Sequence, residues 1–166
     1  MSFVLVFAFG SNMCSGRLAA YEVTPLRARG ALLKGYRLSF RKRSEDGSGK
    51  ADVVPSLSHG ARVWGVLYDV DIQGLARLDA GEQGYRRRRV AVFLRNGRPA
   101  RAWIYVSAQN QRDESLHPYT WYKRFLVEGA KEHQLPKSYI ASLEGIAAIQ
   151  DPDRDRDREK RNLTCP

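Results

Sequence analysis

The stretch FVLVFAFGSNM occupies residues 3–13 and carries the clearest structural pattern in the chain. Its first seven residues are apolar and β-prone at both odd and even positions, which is typical of a strand covered on both faces. Gly10, Ser11 and Asn12 follow directly, and all three are turn-forming residue types. We therefore expect an interior strand over residues 3–9 that ends abruptly in a turn.

Further strands and helices follow this first strand. The segment VWGVLYDV, residues 63–70, predicts a strand, and the loose alternation of residues 31–40 predicts another. Asn96-Gly97 is a strong hairpin signal between predicted strands at residues 86–94 and 102–106. Helical periodicity is concentrated towards the end of the chain, most clearly over residues 118–133. The predicted strands come mostly first along the chain and the helices mostly last, and this order favours the α+β class.

Length and composition suit one intracellular domain. The 166 residues are enough for a core, and 43% hydrophobic with 28% charged residues is ordinary for a soluble globular protein. No apolar run approaches the roughly 20 residues of a membrane helix, and the N-terminus lacks the features of a signal peptide. The two cysteines, Cys14 and Cys165, do not make a disulfide framework, and the histidines lack ligand spacing. We expect a cytoplasmic protein without metal or cofactor.

The net charge of +10 lies within residues 1–150, because the five acidic and five basic residues of 151–166 cancel. A basic surface can attract nucleic acid, an acidic protein or an anionic small molecule. The tail offers no apolar stripe, so we predict a domain over residues 1–150 and a flexible charged extension over 151–166, with a salt-bridged helical extension as the alternative. We expect this extension to be dispensable for activity.

Three features suggest chemistry, although each also has an ordinary structural explanation. The turn at Gly10-Ser11-Asn12 can present backbone N–H groups to an anion, but it can equally be a simple β–α connection. Glu82 lies between Gly81 and Gly84, yet most glutamates are solvated surface residues. Tyr122 opens the helix of residues 118–133, where a tyrosine usually serves core packing.

Four segments, taken together and in their order along the chain, are far more specific than any one of them alone. FAFGSNM, VWGVLYDVD, LDAGEQGYRRRRVAV and YKRFLVEGAKEHQLP resemble the γ-glutamylcyclotransferase family, over approximately residues 3–143. The resemblance implies a small mixed β-barrel with flanking helices. It also implies that Glu82 is the catalytic proton acceptor. The substrate-binding residues it implies are Phe9, Gly10, Ser11, Asn12, Met13, Cys14, Tyr105 and Tyr122.

The chain departs from the family pattern at two places. Phe9 stands where the family usually has tyrosine, so a hydroxyl contact is absent there. The spacing between Glu82 and Tyr85 is shorter than in the vertebrate enzymes, which affects the side of the leaving group. The FAFGSNM loop resembles the branch that acts on γ-glutamyl dipeptides and amines, and not the glutathione-specific branch.

The implied reaction closes a γ-glutamyl group to 5-oxoproline and releases the attached amine. The α-amine attacks its own γ-carbonyl, which suits a sequence without a nucleophile pattern, and one carboxylate can move the protons. Two other functions stay open. One is biosynthetic deprotection of a γ-glutamyl-amine, free or on an acidic carrier protein. The other is a nucleic-acid-binding module using Arg41-Lys42-Arg43 and residues 86–89, although no known nucleic-acid motif accompanies them.

Overall fold

A computed structural model describes residues 2–166; Met1, which the predicted domain includes, lies outside the described residues. The strands are β1 (Phe3–Ala8), β2 (Arg27–Lys34), β3 (Tyr36–Arg43), β4 (Gly49–Pro55), β5 (Arg62–Asp71), β6 (Tyr85–Leu94) and β7 (Pro99–Ser107). The helices are α1 (Ser15–Ala20), α2 (Ile72–Gly81), α3 (Thr120–Glu132), α4 (Lys137–Glu144) and α5 (Arg154–Asn162), with 3-10 turns at Ser11–Met13 and Gln109–Gln111.

Five strands close into a barrel in the order β1-β5-β2-β6-β7. β1 runs antiparallel to β5 and parallel to β7, where Val6 pairs with Trp103, so the barrel is mixed. A closed barrel has no edge at β1, which explains why that strand is apolar at both odd and even positions. The predicted α+β fold, a small mixed barrel with flanking helices, is confirmed.

The barrel interior and the inner face of α3 form one core. Of the residues expected there, Leu5 and Leu38 are partly buried, whereas the following are buried: Val6, Phe7, Val66, Leu67, Val92, Ile104, Phe125 and Leu126. Gly129 lets α3 approach the turn after β1, because an added Cβ would lie 2.5 Å from the carbonyl carbon of Met13. No helix within residues 2–166 is long and apolar enough to cross a membrane.

The single strand predicted over residues 31–40 is wrong. β2 ends at Lys34 and β3 begins at Tyr36, with Gly35 between them at a φ of +80°. That left-handed conformation favours glycine and lets the chain leave the barrel. β3 then pairs with β4 in a separate two-stranded sheet, which carries residues of the site described below.

The flexible tail predicted for residues 151–166 is also corrected. Asp151 is 1% exposed, accepts a hydrogen bond from the Trp121 indole (Nε1–Oδ2 2.8 Å) and pairs with Arg156. Asp153 caps the N-terminus of α5 with its side chain. The chain end is then joined by a disulfide between Cys14 and Cys165. Long-range polar contacts and one covalent bond thus order a segment that has no apolar stripe.

Candidate active site

A narrow cavity lies where β1 ends, between the barrel, β4 and α3. Seven of the residues predicted for the site line it: Phe9, Gly10, Ser11, Asn12, Glu82, Tyr105 and Tyr122. Residues that were not predicted as site residues complete the walls, among them Ala51, Tyr68, Leu78 and Tyr85. Residues far apart in the sequence, on the turn after β1, the end of α2 and the start of α3, therefore meet around one space.

The turn after β1 presents unbonded backbone amides at this cavity. The amides of Met13 and Cys14 donate to the carbonyls of Gly10 and Ser11, both at 3.1 Å. Within residues 2–166, the amides of Gly10, Ser11 and Asn12 have no acceptor. Tyr68 reaches the turn from the barrel and donates its hydroxyl to the Asn12 carbonyl at 2.9 Å. Fixed, unsatisfied N–H groups of this kind form a site for an anionic oxygen.

Glu82 places an ionisable carboxyl group in the cavity lining. It directly follows α2, and its amide donates to the Leu78 carbonyl at 2.9 Å, which holds the backbone in place. Asn12 Nδ2 donates to Glu82 Oε1 at 2.6 Å. Burial raises the pKa of Glu82, while the Asn12 hydrogen bond and the charges of Arg17 and Lys42 act in the opposite direction. A carboxyl group in such a setting is suited to accept and return a proton.

Three tyrosines line the cavity in addition to Tyr68, and their hydroxyls are not equivalent. Tyr122 accepts a hydrogen bond from the Ala51 amide at 3.0 Å, and burial raises the pKa of Tyr122 to about 12. Tyr85 donates to the Ala51 carbonyl at 2.8 Å. Tyr105 donates to Asp79 Oδ1 at 2.7 Å, so its proton is already engaged. Tyr105 therefore contributes a wall to the cavity, whereas Tyr122 places a neutral hydroxyl beside the turn.

The structure does not bring the side chains of two predicted contacts, Met13 and Cys14, to the cavity. Both side chains are fully buried, and neither lines the cavity. Met13 packs under α3, and Cys14 bonds to Cys165, so these residues hold the turn from behind. Phe9 does line the cavity and contributes an apolar surface to it.

A wider vestibule connects this cavity to solvent, with a volume of about 530 Å³. Ser11, Glu82, Tyr85 and Tyr122 line both spaces. Four cations, which the sequence did not connect with the site, surround the vestibule: Arg17, Lys42, Arg43 and Lys50.

Lys50 is held at the vestibule wall by aromatic rings and an acid. Its ammonium lies over the rings of Trp121 and Tyr122, 4.3 and 4.6 Å from their centroids, and pairs with Asp46 at 2.8 Å. Burial lowers the pKa of Lys50 to about 8. The basic run Arg41-Lys42-Arg43 was a reason to consider nucleic acid, but Lys42 and Arg43 belong to this vestibule.

Metal-ligand spacing occurs in residues 2–166 at one cluster, Cys14, Glu132 and Cys165. Both sulfurs of that cluster are joined to each other in the disulfide, so neither is available as a thiolate ligand.

Part of the chain matches a family model, and the whole fold resembles a solved structure. A family model described as the AIG2-like family matches residues 62–143, which include Glu82 and all of α3. A solved structure titled γ-glutamyl cyclotransferase shares the fold, with a TM-score of 0.79 at 24% identity, covering 95% of this chain and 99% of the other. This chain and that solved structure therefore share one fold.

Sequence relatives define the family more closely. The γ-glutamylcyclotransferase of Bos taurus is 31% identical over 150 residues, which cover 86% of this chain and 78% of the relative. The Mus musculus enzyme of the same name is 29% identical with the same coverage. The chain belongs to the γ-glutamylcyclotransferase family, and the resemblance found in the sequence is confirmed.

Proposed function

We propose that this protein converts a γ-glutamyl amino acid or γ-glutamylamine to 5-oxoproline and the free amine, with Glu82 as the acid/base group. The observation that carries the proposal is the meeting of Glu82 with the unbonded amides of Gly10, Ser11 and Asn12 at one cavity. Membership of the γ-glutamylcyclotransferase family supports it.

The reaction needs orientation and proton transfer. The α-amine nitrogen attacks the γ-carbonyl carbon and forms the lactam C–N bond, and the original γ-amide C–N bond then breaks. The α-ammonium nitrogen loses two protons on the way to the lactam N–H, one before the attack and one from the tetrahedral adduct. Glu82 accepts them in turn and passes protons to the leaving nitrogen, which departs as an ammonium ion, so no net proton is taken up or released. Folding the substrate for attack contributes an effective molarity of roughly 10⁵ M or more, and a positioned acid/base about 10²–10⁴-fold.

The cavity supplies the remaining contacts. The amides of Gly10, Ser11 and Asn12 can bind the substrate α-carboxylate or the oxyanion that forms on the γ-carbonyl oxygen. Tyr122 adds a neutral hydroxyl next to them. Because Glu82 lines both the cavity and the vestibule, the scissile bond lies at their junction and the amine leaves through the vestibule.

The test replaces Glu82 by Gln and measures 5-oxoproline released from a panel of γ-glutamyl amino acids and γ-glutamylamines. We expect kcat/KM to fall by roughly 10² or more. Thermal stability should not fall, because burial raises the pKa of Glu82 and its ionised form therefore contributes no stability at neutral pH. Glu159→Gln, at an exposed position of α5, is the control and should keep wild-type turnover. Turnover of Glu82→Gln within a few-fold of wild type would remove Glu82 from the mechanism.

A further inference from the structure

Two of the four cations that line the vestibule have a carboxylate partner, and the other two have none in the part of the chain that the structure describes. Lys50 pairs with Asp46 at 2.8 Å, and Arg43 lies 3.8 Å from Asp113. Within residues 2–166, by contrast, no carboxylate comes within ion-pair distance of the Lys42 ammonium or the Arg17 guanidinium. Both unpaired cations line the vestibule, one on β3 and the other on α1.

Lys42 is held in place although it has no partner. The residue is only 9% exposed, and its ammonium lies 5.2 Å from the centroid of the Tyr85 ring. Gly84, at a φ of +79°, makes room for it, because an added Cβ would lie 2.9 Å from Lys42 Nζ. Burying a charge without a counter-ion is costly, and a lysine is seldom buried unless it is paired.

Arg17 is the second unpaired cation in the vestibule lining, and it too lies against an aromatic ring. Its guanidinium lies over the Phe125 ring, 5.1 Å from the centroid, and its buried Nε has no hydrogen-bond partner in residues 2–166. Lys42 has three acidic neighbours, Glu82, Glu45 and Asp46. They attract its charge electrostatically, without a hydrogen bond or a salt bridge to it. Two fixed cations next to the scissile bond therefore lack anions that a ligand can supply.

We infer that the vestibule is a subsite for a leaving group with two carboxylates, so that the preferred substrates are γ-glutamyl derivatives of acidic amino acids. This inference rests on the proposed function and narrows its substrate class. Arg17 and Lys42 are the specificity-determining residues, and the two carboxylates of a departing glutamate or aspartate match their two charges. A γ-glutamylamine without a carboxylate leaves both cations unpaired.

Three substrates of graded charge test the inference: γ-glutamyl-glutamate, γ-glutamyl-glutamine and γ-glutamyl-methylamide. Glutamate and glutamine have nearly the same size, so their comparison isolates one carboxylate. We expect kcat/KM to fall in that order, by about tenfold or more at each step, the factor that one charge-assisted hydrogen bond supplies. Equal values for the three substrates would overturn the subsite while leaving the proposed function intact. Absence of 5-oxoproline from all three would overturn both.

The residues are tested with Lys42→Met and Arg17→Met. Each should lower the ratio of kcat/KM for γ-glutamyl-glutamate to that for γ-glutamyl-methylamide by about tenfold or more, mainly through KM. The ratio is the readout because any effect of the lost charge on Glu82 is common to both substrates and cancels. Lys137→Met, an exposed lysine at the start of α4, is the matched control and should keep the wild-type ratio. An equal loss on both substrates would limit the cation to tuning Glu82 and overturn its role in specificity.

Discussion

Two opposing influences act on the pKa of Glu82: burial raises it, and three neighbouring groups lower it by favouring the charged form. Burial is the largest of these influences. Among the groups that lower the pKa, the hydrogen bond from the Asn12 side chain comes first, followed by the charges of Arg17 and then Lys42. In the proposed reaction the carboxyl group must be ionised to take a proton from the substrate ammonium. We therefore expect its protonation to give an acid limb in the pH dependence of kcat/KM of the free enzyme.

Asn12→Ala tests this balance at the residue scale. Loss of the 2.6 Å hydrogen bond removes an influence that lowers the Glu82 pKa, so the acid limb should move to higher pH. Activity at pH 6 should consequently fall more than activity at pH 8, measured as 5-oxoproline release on one γ-glutamyl substrate. Asn110→Ala, at an exposed position after β7, should leave the profile unchanged. A loss that is equal at all pH values would contradict the assignment.

At this scale Glu82 was predicted only through the ordered set of four segments, and the structure places it in the lining of the cavity. Arg17 and Lys42 could not be found in the same way. Each is an ordinary basic residue in its own segment, and only the barrel brings α1 and β3 to the end of α2. Their significance comes from the partners they lack, and a sequence does not show how carboxylates are distributed in space.

Among the elements, β1 and its turn depend on close approaches that only small residues permit. Gly10 lies where an added Cβ would be 3.0 Å from Ala51 Cβ and 3.2 Å from the Tyr122 hydroxyl. Gly129 plays the same part between α3 and the turn. The turn is thus packed between β4 and α3, and its amides keep a fixed position relative to Glu82, which is the preorganisation that oxyanion binding requires.

Gly10→Ala should disturb this packing. The methyl group is tighter against Ala51 and Tyr122 than ordinary contacts allow, so the turn or the Tyr122 hydroxyl must shift by a few tenths of an ångström. We expect kcat/KM to fall about tenfold or more, because catalytic geometry tolerates such displacements poorly. Gly145→Ala, whose nearest contacts would be 3.6 Å away, is the matched control. Unchanged kcat/KM for Gly10→Ala would show that the turn is not a positioned part of the site.

Elements with a strong local signal were predictable, and those decided by distant contacts were not. The hairpin at Asn96-Gly97 forms between β6 and β7 as expected, with Gly97 at a φ of +85°. The break at Gly35 was missed because alternation of residue types continues across it. The docking of α5 was missed because its support comes from Trp121, Arg124 and Cys14, which are 30 or more residues away from their partners in the tail.

Considered as a whole, the molecule engages several of its basic residues in contacts within the chain. The run at residues 86–89 gave a reason to consider nucleic acid, yet Arg87 and Arg89 stack on the Trp103 ring at 4.4 and 4.6 Å from its centroid. Arg87 also pairs with Asp79 at 2.6 Å, and this aspartate holds Tyr105 in the cavity wall. Part of the net positive charge therefore supports the site itself.

The docked tail leads to the last prediction, for a protein truncated after Gln150. Truncation removes Asp151, which leaves the buried Trp121 N–H without its acceptor, and it removes the disulfide to Cys14. An unsatisfied buried donor costs about 1–3 kcal/mol, and the cross-link constrains the unfolded chain by a few more. At this chain length about 1 kcal/mol lowers Tm by roughly 2–4 °C, so we expect a fall of about 5 °C or more.

Activity should respond differently, because no residue of 151–166 lines the cavity or the vestibule. The folded truncated protein should turn over γ-glutamyl substrates within a few-fold of the full chain, well below its lowered Tm. Cys165→Ser separates the two causes, since it removes the cross-link and keeps Asp151, and it should give a smaller fall in Tm. A reducing agent should lower the wild-type Tm towards that of Cys165→Ser and leave the variant unaffected. An unchanged Tm on truncation would contradict the docking of the tail, because Trp121 cannot lose a buried partner without cost.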